Sequence, residues 1–150
     1  MKRLIAILVM TLLGLTACSK SKPIEKAEVV GEWEAIKRWG KGPMSGSIIF
    51  RADGTCETVK LPWGAVTGDE THLGSAVWVI GKWKFEFRNG KQSICLTMAK
   101  PKTSGATFTT WIHPELRGGE WTFRQYIGDP DLMDIVEFKK RAASLPTEKR

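Results

Sequence analysis

Several kinds of chemistry have no foothold in this chain. Its 150 residues include 3 Cys and 2 His. No C-x-x-C pair occurs, and His72 and His113 stand alone, so the closely spaced four-ligand set of a structural zinc site is missing. There is no G-x-S-x-G, no H-E-x-x-H, and no G-K-[ST] behind a glycine-rich stretch. That removes the nucleophile elbow, the zinc-peptidase helix and the phosphate loop. With these absences no catalytic set, cofactor or metal is expected. No long segment carries a 3.6-residue apolar period, so helices do not organise the fold. The apolar run Leu4–Leu15 is 12 residues long, short of the ~20 that a membrane-spanning helix needs.

What is present starts at the N-terminus. Lys2 and Arg3 precede Leu4–Leu15, small residues follow, and the chain turns polar at Ser19-Lys20-Ser21-Lys22-Pro23. A basic start, a short apolar stretch and a small-residue cleavage site are the layout of a secretory signal peptide over residues 1–17. A buried core helix is the alternative, but it would not carry these flanks. Leu15-Thr16-Ala17-Cys18 resembles the lipobox of bacterial lipoproteins. The resemblance implies cleavage before Cys18, acylation of Cys18, and an envelope location. Ser19, in place of the Asp associated with inner-membrane retention, implies the outer membrane, with the domain facing the periplasm. Plain secretion, with Cys18 an ordinary thiol, is the alternative. One acyl chain binds a membrane marginally and several hold it firmly; the lipoprotein resemblance implies two or three.

Removal of residues 1–17 leaves 133 residues and, with Lys2 and Arg3 gone, lowers the formal net charge from +7 to +5. That length suits one domain with its own core. A modestly basic protein is drawn to anionic surfaces, which in an envelope are lipid head groups, lipopolysaccharide and cell-wall polymers. Nucleic acid is not expected as a partner, because the export signal places the domain where it is scarce and the basic residues are spread out. Cys56 and Cys95 in an exported domain read as a disulfide. The loop it would close spans 39 residues, for a gain of roughly 4 kcal/mol. Two separate buried thiols are the alternative.

Residues 18–28, a lipidated Cys followed by a polar stretch, read as a tether. A β-domain is expected over 29–139, and a basic tail over 140–150. Within the domain, short alternating runs lie between turn signals. Ala52-Asp53-Gly54 turns Gly46–Arg51 into Thr55–Leu61. Lys82–Arg88 is KWKFEFR, with Trp83, Phe85 and Phe87 on one face and Lys82, Lys84, Glu86 and Arg88 on the other. Asn89-Gly90 is the favoured two-residue type I′ turn, and it sets Phe85 opposite Ile94 and Trp83 opposite Leu96 on Lys91–Met98. A third hairpin is expected from Ala106–Ile112 to Glu120–Ile127 across a loop HPELRGG. Leu132–Phe138 is a last strand or helical turn. The expected fold is all-β: an antiparallel meander of seven or eight strands, closed as a small barrel or folded as a half-barrel or sandwich.

Val30-Gly31-Glu32-Trp33, then Phe50-Arg51-Ala52-Asp53-Gly54-Thr55, then Gly81-Lys82-Trp83 resembles the lipocalin-like domains of small bacterial envelope proteins. These show G-x-W, F-x-x-D-G-T and G-x-W in that order. The resemblance covers about residues 29–98 and implies a small β-barrel or half-barrel with no set of catalytic residues.

Trp33, Trp83 and Trp121 alternate with apolar partners and are expected in the core, as is Trp78. Trp39 and Trp63 lie in Gly/Pro loops, where they would either bind a ligand or partner or plug a barrel end. The stretch Pro62–Gly74 is long enough to be a functional loop, and it groups Asp69, Glu70 and His72. Trp39, Trp63 and His72 are thus the candidate binding residues. An enzyme would need His72 or His113 to meet an Asp or Glu in a cleft. The functional expectation is a membrane-anchored binding module for a small hydrophobic or glycan ligand or an envelope protein. The alternative is a non-enzymatic interaction protein, such as an envelope-assembly factor or a periplasmic toxin-immunity lipoprotein.

Overall fold

A computed structural model describes residues 22–38, 44–69, 76–100, 105–129, 131 and 134–142. Eight strands follow one another round a closed wall: β1 (Gly31–Arg38), β2 (Ser47–Phe50), β3 (Thr55–Pro62), β4 (Ala76–Arg88), β5 (Lys91–Ala99), β6 (Thr107–Arg117), β7 (Glu120–Tyr126) and β8 (Ile135–Lys140). Each pairs antiparallel with the next, and β8 closes on β1 through Trp33 opposite Lys140 and Ala35 opposite Phe138. The fold is the small lipocalin-like meander barrel, in its closed form. Closure leaves no unpaired sheet edge.

The turns follow from their residues. Asn89 (φ 50°) and Gly90 (φ 72°) both take positive φ, as a type I′ turn requires. The β4–β5 register is therefore the expected one, with Phe85 opposite Ile94 and Trp83 opposite Leu96. At the first hairpin the Asp53 carboxylate accepts from the Thr55 amide at 2.8 Å and the Thr55 hydroxyl at 2.7 Å, which fixes the turn and sets Cys56 opposite Phe50.

Four expectations are corrected. The stretch HPELRGG is mostly strand: β6 runs to Arg117, Pro114 pairs with Phe123, and only Gly118-Gly119 turns. Pro62–Gly74 begins as a short helix, α2 (Trp63–Thr67), whose Ala65 and Val66 are buried against the far rim of the barrel. The packed unit begins before Val29. Ile24 is buried, its backbone exchanges two hydrogen bonds with the Gln92 amide (2.8 and 3.1 Å), and a one-turn helix α1 (Lys26–Val29) covers the near rim. At the other end of the chain, Lys140 and Arg141 belong to the barrel: the Lys140 ammonium donates to the Glu28 carbonyl at 2.7 Å and the Arg141 amide to the Glu32 carbonyl at 2.8 Å. The signal segment 1–17, Cys18 and residues 143–150 of the tail lie outside the described residues.

Strand alternation decides what fills the barrel. Trp33, Phe50, Phe123 and Phe138 are fully buried, and Ile48, Ile94, Leu96, Met98 and Ile112 pack between them. Each such side chain contributes ~1.5–3 kcal/mol when withdrawn from water.

Candidate functional site

Among the described residues, large aromatic and aliphatic side chains pack across the barrel interior. The Trp33 ring stacks on Phe123 with centroids 3.5 Å apart, and Phe50 meets Phe123 and Trp83 edge-on at 5.8 and 5.6 Å. The Trp33 indole N–H donates to the Val29 carbonyl at 2.8 Å, which ties the aromatic stack to α1. Towards α2 the interior becomes more polar. Gln125 donates to the Thr110 hydroxyl at 3.0 Å, and Thr58 accepts from the Val79 amide at 3.0 Å beside the β3 bulge. Small barrels of eight strands are commonly filled by their side chains in this way.

Of the candidate binding residues, Trp63 is described and Trp39 and His72 lie outside the described residues. Trp63 is half-buried at the start of α2, edge-on to Phe108 with centroids 4.7 Å apart. There it packs over the far rim of the barrel. Cys56 and Cys95 are both free thiols, so the expected disulfide is corrected. Cys56 pairs with Gly81 and Cys95 with Lys84 on β4. That places them two inter-strand spacings apart, ~10 Å, and on opposite faces of the wall, since Gly81 and Lys84 differ by an odd number of positions. A disulfide needs Cα atoms within ~7 Å. Burial pushes the Cys56 thiol up to about 12 and raises that of Cys95.

Trp78 is also corrected. It faces outward and is 71% exposed, and Ile80, on the same outer face of β4, is 63% exposed. Val79 between them takes the inward position, opposite Thr58.

A second outer cluster escaped the sequence reading. The Trp111 indole donates to the Glu86 carboxylate at 2.8 Å, the Arg88 guanidinium lies 3.9 Å over the Trp111 ring, and the Lys84 ammonium pairs with Glu86 at 2.8 Å. The Lys84 and Trp111 hydrogen bonds hold the Glu86 carboxyl down at about 2. Cys95 is buried beneath this layer. Alternation alone placed Lys84 and Glu86 outside, but only the β5–β6 register, with Cys95 opposite Trp111, brings the tryptophan to them. Beside it, the Ser93 hydroxyl and His113 Nδ1 are 3.2 Å apart, and His113 meets Tyr126 edge-on at 5.5 Å. Burial, then Arg88 and Lys91, lower the His113 pKa. Ser93 is buried, so this pair presents no open nucleophile.

The near rim carries a cleft of about 320 Å³ lined by Glu28, Trp33, Glu120, Trp121, Lys139 and Lys140. Its charges are engaged: Lys139 pairs with Glu120 at 2.8 Å, and Lys140 reaches Glu28. The half-buried Trp121 supplies its aromatic side. Among the described residues, no group of three or more His, Cys, Asp and Glu is placed to hold a metal ion, and no helix is long and apolar enough to cross a membrane.

No protein-family model matches the chain, and neither a curated protein nor a solved structure matches it.

Proposed function

We propose that this chain is a lipid-anchored protein of the bacterial envelope that works by binding a partner protein on the outside of its barrel. The observation that carries this reading is the filled interior: the stacked Trp33 and Phe123, with Phe50 and Trp83 against them, occupy the space where a lipocalin-like barrel would hold a ligand. Binding is thereby left to the exterior, and Trp78 and Ile80 stand there as large apolar side chains in water. Exposed aromatic residues of this kind are enriched in protein interfaces. The anchor rests on the resemblance of Leu15–Cys18 to a lipobox.

The test is a photo-crosslinking amino acid at position 78 or 80 in cells, with position 109 on the outer face of β6 as the control. A discrete adduct with one envelope protein from 78 and 80, absent from 109, is the expected result. Adducts no different from the control would sink the reading.

The near-rim cleft favours a second reading, an amphipathic small ligand seated against Trp121 between Lys139 and Lys140. Native mass spectrometry of the protein from membranes decides it. A co-purifying small molecule that is lost in Trp121→Ala supports this reading, and a ligand-free mass rejects it.

A further inference from the structure

The near rim gathers three features. The first is a pair of over-long hairpins. Phe87 continues the inward-facing series Trp83–Phe85, and Leu116 continues Ile112–Pro114, but both lie beyond the level where the barrel packs. They stand 73% and 44% exposed. The β4–β5 and β6–β7 turns reverse the chain on this same rim, as antiparallel pairing through β5 and β6 requires.

The second feature is charge. Arg88 and Lys91 flank the Asn89-Gly90 turn, Arg117 precedes Gly118-Gly119, and all three are exposed. Phe87 is thus followed by the cross-strand pair Arg88 and Lys91, which suits an interface between acyl chains and anionic headgroups, whereas Arg117 beside Leu116 pairs with Glu115 at 2.7 Å.

The third is the exit of the chain. Ile24 is clamped to Gln92, and Gln92 is the cross-strand partner of Phe87. The segment before Ile24 therefore leaves beside Phe87. From Cys18 to Lys22 is four residues, a reach of at most ~14 Å even when fully extended. An acylated Cys18 would hold this rim next to the bilayer, where short tethering makes individually weak contacts effective.

We infer that the near rim of the barrel rests on an anionic lipid surface, with the tips of Phe87 and Leu116 in the headgroup region and Arg88 and Lys91 on lipid phosphates. This rests on the anchor reading above. It sets the barrel end-on to the membrane. Trp78, nine residues along β4 from Phe87, is carried ~30 Å up the strand, where a partner reaches it.

The experiment uses the full protein as extracted from bacterial membranes. It is reconstituted in phosphatidylethanolamine–phosphatidylglycerol vesicles and, separately, in phosphatidylcholine vesicles. An environment-sensitive fluorophore is attached at Phe87→Cys, Leu116→Cys or Trp78→Cys, since the buried Cys56 and Cys95 do not compete for it. Nitroxide-bearing lipid is expected to quench labels at 87 and 116 several-fold more than the label at 78. That excess should shrink in phosphatidylcholine. With Arg88→Glu and Lys91→Glu in the same chain, quenching at 116 should fall. Quenching at 78 equal to or above that at 87 would mean a barrel lying on its wall and overturns the inference. Labels at 87 and 116 shielded from both nitroxide lipid and aqueous iodide would mean that a second copy or a protein covers the rim, and also overturn it. The intact mass of the same sample separates the two readings. An acylated chain with unquenched tips defeats the docking alone, whereas a chain without acyl groups defeats the anchor and the docking together.

Discussion

Trp33 on β1 and Phe123 on β7 lie face to face across the barrel interior, with ring planes 15° apart and centroids at 3.5 Å, although β8 separates their strands in the wall. The contact spans the seam of the barrel, because it bridges over β8, the strand that closes on β1. Trp33→Ala and Phe123→Ala should each cost about 3–5 kcal/mol through lost burial and the cavity left behind. In a double-mutant cycle the pair should show a coupling of roughly 0.5–1.5 kcal/mol beyond additivity. Urea unfolding followed by far-UV circular dichroism measures both, and additivity within error would remove the stack from the account.

The thiols give a chemical readout of register. Cys56 faces the core and Cys95 lies under the Trp111 layer, with both pKa values raised by burial. Neither should react with iodoacetamide in the folded protein at mildly alkaline pH. Both should react in denaturant without any reductant, since no bond joins them. Thiols that appear only after reduction would mean that β3 or β5 sits in a different register.

Much of the wall was legible because its information is local. The two-residue period of KWKFEFR and the Asn89-Gly90 turn together specify one hairpin and one register, whereas Asp53-Gly54 marks the first hairpin without fixing its register, and the face of Cys56 came only from the pairing of Phe50 with Cys56. Closure was not legible as such, since the pairing of Trp33 with Lys140 joins residues more than a hundred positions apart and leaves no mark on either segment. Trp78 was misplaced because AVWVIG is apolar at nearly every position, so alternation cannot tell its inner face from its outer one. Ile24 was missed as one apolar residue in a polar stretch. The α2 plug is a single turn, too short to show a helical period. The exposed Trp78–Ile80 face is accordingly the part of the wall that the sequence hid most completely.

Two G-x-W units, Gly81-Lys82-Trp83 and Gly119-Glu120-Trp121, look alike in sequence but serve different physical needs. A Cβ at Gly81 would sit 2.5 Å from the Thr97 carbonyl oxygen and 2.9 Å from Met98 Cγ, so the wall itself forbids a side chain. At Gly119 there is open space, but φ is +85°. Gly81→Ala should therefore destabilise by ~1–3 kcal/mol or more through overpacking. Gly119→Asn should be milder, because Asn tolerates the left-handed region. Thermal unfolding of the two variants tests the order, and a reversed order would place the strain in the turn instead.

The N-terminal cover predicts a cost for residues that look like tether. Ile24→Ala removes a buried side chain and Gln92→Ala removes both partners of the Ile24 backbone. Ile24→Ala should lose about 2 kcal/mol or more. Gln92→Ala should lose about 1–3 kcal/mol, the cost of stranding buried polar groups. Urea midpoints unchanged in both variants would return residues 18–28 to a free linker.

His113 makes stability depend on pH in a stated direction. Burial first, then Arg88 and Lys91, lower its folded-state pKa below the ordinary 6.5, and Glu115 opposes them; Tyr126 packs edge-on to the ring. The unfolded chain therefore binds the proton more readily. The neutral ring's contribution is fully present above pH 6.5 and shrinks as pH falls towards the folded-state pKa, below which it is gone. The slope from this one group cannot exceed about 1.4 kcal/mol per pH unit. Urea midpoints should fall as pH drops from neutrality to about 5, and His113→Gln, which can still bond Ser93, should flatten that decline. The difference between the two curves isolates His113. An identical slope in the variant would mean that the ring at position 113 is as easily protonated folded as unfolded, and that the Arg88–Trp111 layer does not shield it.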